Sequence, residues 1–196
     1  MNLHERLRAA VTRPGAAALR GDWDFPGHGD WTQPVLTPAA VLIAVTDERH
    51  PRVLLTRRTT TLRRHAGQVA FPGGRIDPED ASPVAAALRE AQEEVALPID
   101  RVEVLGTTDP YETGTGYHIT PVLAVIPPGL TLVAAADEVA ALFEVPLDFL
   151  LDPANHQLRQ SEWQGKLRSY YVIATEEHEI WGATAAIIVN LAQRLA

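Results

Sequence analysis

Cysteine is absent from the 196 residues, which removes disulfides, thiolate zinc sites and cysteine nucleophiles together. That absence fits a reducing cytoplasm. No apolar run approaches the roughly eighteen residues of a membrane span. The N-terminal stretch MNLHERLRAAV carries charges where a signal peptide needs an apolar core. Neither membrane insertion nor export is expected, so the expected location is cytoplasmic. None of the seven histidines forms an HExxH pair or comparable cluster, which argues against zinc. No G-x-S-x-G nucleophile turn occurs, and neither an internal repeat nor a low-complexity segment is present. Net charge is −8, whereas a general nucleic-acid binder carries a basic footprint. No nucleic-acid partner is expected.

What is present is an uneven distribution of charge. From Arg49 to Ile76 there are seven arginines (49, 52, 57, 58, 63, 64 and 75) and no acid, so this window carries +7 and the remainder of the chain −15. Asp77, Glu79, Asp80, Glu90, Glu93 and Glu94 follow at once. A cationic block beside an anionic one suits a polyanionic ligand and a metal ion lying together. The sixteen arginines against one lysine carry less weight, since genome composition can produce that bias.

The length suits one well-buried domain. Residues 1–34 read as a short helix over 3–11 followed by an irregular lead-in rich in Gly, Pro and Asp, packed by Trp23 and Trp31; residues 35–196 form the domain proper. Apolar runs and their breakers predict strands over 39–46, 52–58, 68–71, 102–108, 119–126 and 169–175. A short helix is expected near Pro146 and a C-terminal helix over 183–195. TGTG (113–116) lies between two strands with no helix after it, and reads as a turn. Without a regular βαβ rhythm, the expected architecture is α/β (α+β): a mixed β-sheet flanked by helices.

Ser82 before Pro83 is a helix-start signal, because the hydroxyl caps and the proline needs no N–H partner. That helix runs to Val95, ahead of Pro98. On it Val84, Leu88, Ala91 and Val95 share roughly 60° of arc, and Glu90, Glu93 and Glu94 occupy roughly 100° on the other side. Glu90 and Glu94 are i, i+4 neighbours, a like-charge pair that costs roughly 0.2–0.5 kcal/mol when solvated. So small a penalty leaves an ordinary wet helix face open. The alternative is a shared divalent cation, and oxygen-only ligands select Mg²⁺ or Mn²⁺.

Read from Gly74, GRIDPEDASPVAAALREAQEEVAL resembles the Nudix box, Gx5Ex7REUxEExGU with U apolar. The core Arg89-Glu90-Ala91-Gln92-Glu93-Glu94 matches. Asp80 stands where the first Glu belongs, one extra residue follows it, and Ala96 replaces the final glycine. The preceding stretch LLTRRTTTLRRHAGQVAFPGG (54–74) is similar to LLTxRSx3Rx3Gx3FPGG, the signature of the coenzyme A pyrophosphatase branch of the Nudix hydrolases. Leu54, Leu55, Thr56, Arg58, Arg63, Gly67, Phe71, Pro72, Gly73 and Gly74 are in register, and Thr59 stands for Ser. Weaker similarity continues at 137–147 and 180–185.

The resemblance implies a Nudix-type α/β/α sandwich that hydrolyses the diphosphate of coenzyme A or its derivatives to 3′,5′-ADP and 4′-phosphopantetheine. It implies Mg²⁺ or Mn²⁺ on Glu90 and Glu94, with Glu93 and the Gly74 carbonyl as further ligands. It also implies catalytic parts for Glu93, Glu138 and Arg89, the arginine by fixing the glutamate rotamers. Arg58, Arg63, Gly67, Phe71, Gly73 and Gly74 are the expected substrate-binding positions. Trp181 is expected in the core, with Gly182 and Ala183 allowing a helix to approach. A different nucleoside diphosphate such as ADP-ribose, or a Nudix-fold module that binds without turnover, remain alternatives.

Overall fold

The computed structural model describes residues 2–12, 19–25, 35–60, 67–163 and 166–196, with the backbone alone at Trp163 and Lys166. In chain order the elements are α1 (Leu3–Thr12), β1 (Thr37–Thr46), β2 (Arg52–Arg58), β3 (Val69–Ala70), β4 (Gly73–Arg75), α2 (Pro83–Val95), β5 (Glu103–Thr107), β6 (Tyr111–Glu112), β7 (Tyr117–Ile126), β8 (Val139–Pro146), α3 (Leu147–Leu151), β9 (Gln157–Trp163), β10 (Lys166–Ala174), β11 (Glu179–Trp181) and α4 (Ala183–Leu195).

The main sheet has the path β3-β2-β1-β7-β5, with β4 paired to β1, β6 to β7 and β8 to β2. It is mixed: β1 and β7 run parallel over ten residues, from Thr37 opposite Tyr117 to Thr46 opposite Ile126, while β2, β4, β5 and β8 pair antiparallel. A second sheet of three antiparallel strands has the order β11-β10-β9.

Strand alternation divides the core into two layers. Ala40, Leu42, Ala44, Leu54, Val122, Ala124 and Ile126 pack on one side with Ala86, Ala87, Ala91 and Val95 of α2. Ile43, Val45, Val53, Leu55, Leu123 and Val125 face the other way, against Leu7 of α1, Leu147 and Leu150 of α3 and Ile187, Ile188 and Leu191 of α4. The result is the expected single-domain sandwich with a mixed central sheet. The buried face of α2 is rich in alanine, with Ala86, Ala87 and Ala91 beside Val95, and small residues let the helix lie against β1 and β4.

Both ends of α2 follow from the local sequence. The Ser82 hydroxyl accepts from the Ala85 N–H at 3.2 Å, with Pro83 in the first helical position. At the other end Ala96 adopts φ 53°, ψ 34°, the left-handed conformation in which glycine is usually found. Its N–H returns to the Gln92 carbonyl at 3.0 Å, and the next N–H, of buried Leu97, reaches Ala91 at 3.3 Å.

Several strands escaped the sequence reading. Gly73–Arg75, not anticipated as a strand, pairs with Ala39, Ala40 and Val41 of β1. β8 and β9 were not anticipated, because they lack a clean alternation. β8 is held by pairing across the whole of β2, and β9 is exposed from Gln157 to Glu162. Leu7, Ala10, Leu19 and Phe25 belong to the same core as α4, so the N-terminal segment contributes buried packing. Trp23 lies half-buried against Gly21, and Trp31 lies outside the described residues.

Trp181 is corrected: it is 41% exposed. Gly182 is also corrected, since a Cβ there would meet nothing within 4 Å; its φ of 65° is what favours glycine.

The strain at Ala96 gives a test. Replacing Ala96 by Gly removes a left-handed residue with a Cβ, and should stabilise the fold by about 1 kcal/mol. In a chain of this size that raises Tm by roughly 2–4 °C, measurable by calorimetry.

Candidate active site

The close seat of α2 on the alanines places its acidic face against β4. Glu94 is 3% exposed. Its carboxylate accepts the Gly73 N–H at 3.1 Å and pairs with Arg58 Nη1, at the end of β2, at 3.4 Å. Burial pushes the Glu94 carboxyl up to about 7, against the opposing effects of the Gly73 N–H and Arg58 and with help from Glu90 and Glu138. The Glu90 carboxyl is raised for the same first reason, burial, and further by Glu93 and Glu138, although Arg89 opposes this. A surface i, i+4 pair would incur only a few tenths of a kcal/mol. Removing an ionised carboxylate from water costs several. The solvated-face reading therefore fails for Glu94 and holds only for Glu93, whose side chain is 60% exposed.

Gly73 and Gly74 are required sterically. A Cβ on Gly74 would lie 2.6 Å from the Glu90 carboxylate, and one on Gly73 2.4 Å from the Ala40 carbonyl oxygen. Only a bare backbone lets β4 pass between β1 and the helix acids.

Arg89 organises the rest. Its Nε and Nη2 donate to the two Asp80 oxygens at 3.1 and 3.0 Å, and Nη1 donates to Glu90 and Glu93, each at 3.0 Å. Nη2 also reaches the Arg75 carbonyl at 3.2 Å. The guanidinium holds the Asp80 carboxyl below the usual carboxylate range. Asp80, the departure from the box pattern, is thus the bidentate partner that fixes Arg89. These bonds hold the Glu90 and Glu93 carboxylates against one guanidinium.

These groups open onto a cavity of about 920 Å³. Of the sequence-predicted positions, Arg58, Gly73, Gly74, Arg89 and the three box glutamates line it, as does Glu138. Glu138 is exposed and immediately precedes β8. Two predicted substrate positions are corrected. Phe71 is 2% exposed within the core shared with α4 and does not line the cavity. Gly67 does not line it either, and serves a turn at φ 72°. Arg63 lies outside the described residues, as do Arg64 and His65.

The cavity also has a wall that the motifs did not reveal. Arg159, Arg168, Tyr170 and Trp181 reach it from the three-stranded sheet, and Asp22 from the N-terminal segment. The Asp22 carboxylate accepts from the Tyr111 hydroxyl and the Gly114 N–H, each at 2.7 Å, and pairs with Arg168. Each lies far from the box in sequence, so spacing held no signal for them.

The comparisons with known proteins fall on this frame. A family model for the NUDIX domain matches residues 36–165. The chain belongs to the Nudix family. It is 46% identical over 157 residues, 80% of this chain and 84% of the relative, to "Uncharacterized Nudix hydrolase NudL" of Photorhabdus laumondii. The protein of the same name from Citrobacter koseri is 47% identical over 80% of this chain and 82% of its own. Among solved structures, the Nudix hydrolase RenU of M. smegmatis is 26% identical over 60% of this chain and 74% of that chain, with a TM-score of 0.47.

Nudix hydrolases generally use divalent metal ions, and the donor set here fits one. Glu90 and Glu94 are oxygen donors held partly out of water; burial first, and neighbouring acids after it, disfavours their ionised forms, and a cation would offset both. Among the described residues no three acids are already gathered at ligand distance; arginines rest on Glu90 and Glu94 instead.

Two outcomes follow. A Cβ at Gly74 must displace the Glu90 carboxylate, so Gly74→Ala should lower kcat/KM of this Nudix hydrolase on the order of 10²-fold, the cost of a misplacement of about 1 Å, with the melting temperature as a control. Glu94 binds a proton more tightly folded than unfolded, so stability of the metal-free protein should fall as pH rises from about 4.5 to about 7. Metal binding needs the ionised form, so Mn²⁺ affinity should rise about tenfold per pH unit in that window and level off above it, as read by calorimetric titration.

Proposed function

We propose that this Nudix hydrolase cleaves the diphosphate of coenzyme A or a derivative of it, releasing 3′,5′-ADP and 4′-phosphopantetheine. The observation that carries the reading is the convergence of two sequence motifs on one carboxylate. Arg58 and Gly73 come from the stretch similar to the coenzyme A pyrophosphatase signature, and both bond to Glu94 of the box. The two motifs therefore constitute a single site, and the branch-specific residues form part of the wall beside the helix acids.

Glu90 and Glu94 are the residues that would hold Mg²⁺ or Mn²⁺, with the Gly74 carbonyl beside them. When bound, the ion supplies neutralisation of the diphosphate and a lowered pKa for the attacking water. Water adds to one phosphorus, the bridging P–O bond breaks, and the bridging oxygen leaves with the other phosphate. Glu93 and Glu138, both on the cavity wall, are the carboxylates placed to take the water's proton. Arg89 keeps Glu90 and Glu93 in their rotamers. Arg58 and Arg75 place positive charge where the phosphoryl oxygens gain negative charge. The partner is a small molecule, and the open cavity is large enough to take one.

The test is hydrolysis of coenzyme A beside ADP-ribose, with and without Mg²⁺ or Mn²⁺, with products identified by mass. Metal-dependent release of 4′-phosphopantetheine, with ADP-ribose left mostly intact, is the expected result. Cleavage of ADP-ribose alone would keep the helix acids and discard the substrate assignment. Turnover of neither would leave a binding module.

A further inference from the structure

The three-stranded sheet has two chemically different faces. Along β10 the side chains of Ser169 and Ile173 are buried, and Ile180 of β11 lies in the core. The alternate positions Arg168, Tyr170 and Val172 line the cavity, as strand periodicity requires. In register, Arg159 stands opposite Tyr170, and Trp181 opposite Val172. The cavity-facing side of this sheet therefore presents two aromatic rings and two guanidinium groups.

The rings are held in place. Tyr170 and Trp181 meet edge to face, with centroids 5.9 Å apart and planes at 61°. Arg168 is fixed by Asp22, and Arg159 pairs with Glu179 at 2.8 Å. Trp181 nevertheless leaves 41% of its surface in water. An immobilised aromatic surface of that size, left exposed at the wall of a cavity whose other wall carries the helix acids, is suited to cover a flat π-system. The neighbouring arginines favour a flat group that also carries phosphate.

We propose that Tyr170 and Trp181 form the nucleobase subsite of this cavity, stacking the base of a nucleoside diphosphate whose phosphates lie toward Glu90 and Glu94. This rests on the reading of the cavity as the site of diphosphate hydrolysis, and adds the part that recognises the nucleoside. β10 and β11 follow residue 165, where the family match ends. The recognising surface is thus attached to the shared chemistry from outside it.

Calorimetric titration of 3′,5′-ADP into the wild-type protein, Trp181→Ala and Trp181→Phe tests the subsite without requiring turnover, with 4′-phosphopantetheine titrated in parallel. Trp181→Ala should weaken 3′,5′-ADP by about 5- to 150-fold, the range for loss of one base-stacking ring. Trp181→Phe should recover most of that loss, and 4′-phosphopantetheine should bind all three proteins alike. Equal affinity of wild type and Trp181→Ala for 3′,5′-ADP, no binding of it by wild type, or equal weakening of both ligands would each overturn the subsite. Failure of the coenzyme A assignment is read separately, from the wild-type products.

Discussion

The contact on which the site depends is the near approach of the α2 backbone to β1 and β4. Alanines recur on both sides of this interface, Ala40 and Ala44 of β1 and Ala86, Ala87 and Ala91 of α2, among the larger Leu42, Leu54, Val122 and Ile126. Glycines at 73 and 74 complete the approach, because any Cβ there would collide with β1 or with Glu90. Everything else at the site is a consequence of this proximity. Glu94 is driven out of water and onto a strand N–H, and Arg58 is drawn to it as the nearest compensating charge.

Electrostatics then separates three glutamates that look alike in the sequence. Glu94 is buried and hard to ionise, Glu90 is intermediate, and Glu93 remains in water. Such a gradient suits a division of labour in which the buried pair binds a cation and the solvated acid exchanges protons. Arg89 links the last two to Asp80, so the face behaves as one charge network. Asp80 in place of glutamate is accommodated because its task is to grip Arg89 through both oxygens, for which a short side chain on a turn suffices.

The cavity joins parts of different origin. Residues 36–165 supply the acids, the glycines and Arg58 under the family pattern. Beyond that match, β10 and β11 supply Arg168, Tyr170 and Trp181 and the N-terminal segment supplies Asp22, while Arg159 of β9 lies within it. Asp22 binds the two additions together by bridging the 113–116 turn and Arg168. Under the proposed function, an acidic wall facing a separately built aromatic and cationic wall is a physical basis on which one chemistry can serve different substrates.

The sequence by itself determined α2, its Ser82 cap, the apolar strands at the centre and the acid set, because each rests on local periodicity or on a contiguous motif; the parallel pairing of β1 with β7 came only with the fold. Phe71 shows the limit of motif reading. It matches the signature, yet its side chain points into the core, since the motif records that a position matters and not which neighbour it meets. Only the tertiary structure decided which glutamate is buried, that Asp80 serves Arg89, and that Trp181 faces the cavity. Burial and orientation depend on which elements pack together, as when Glu94 of α2 meets Gly73 of β4 and Arg58 of β2, and the periodicity of a single element carries no record of the neighbour it meets.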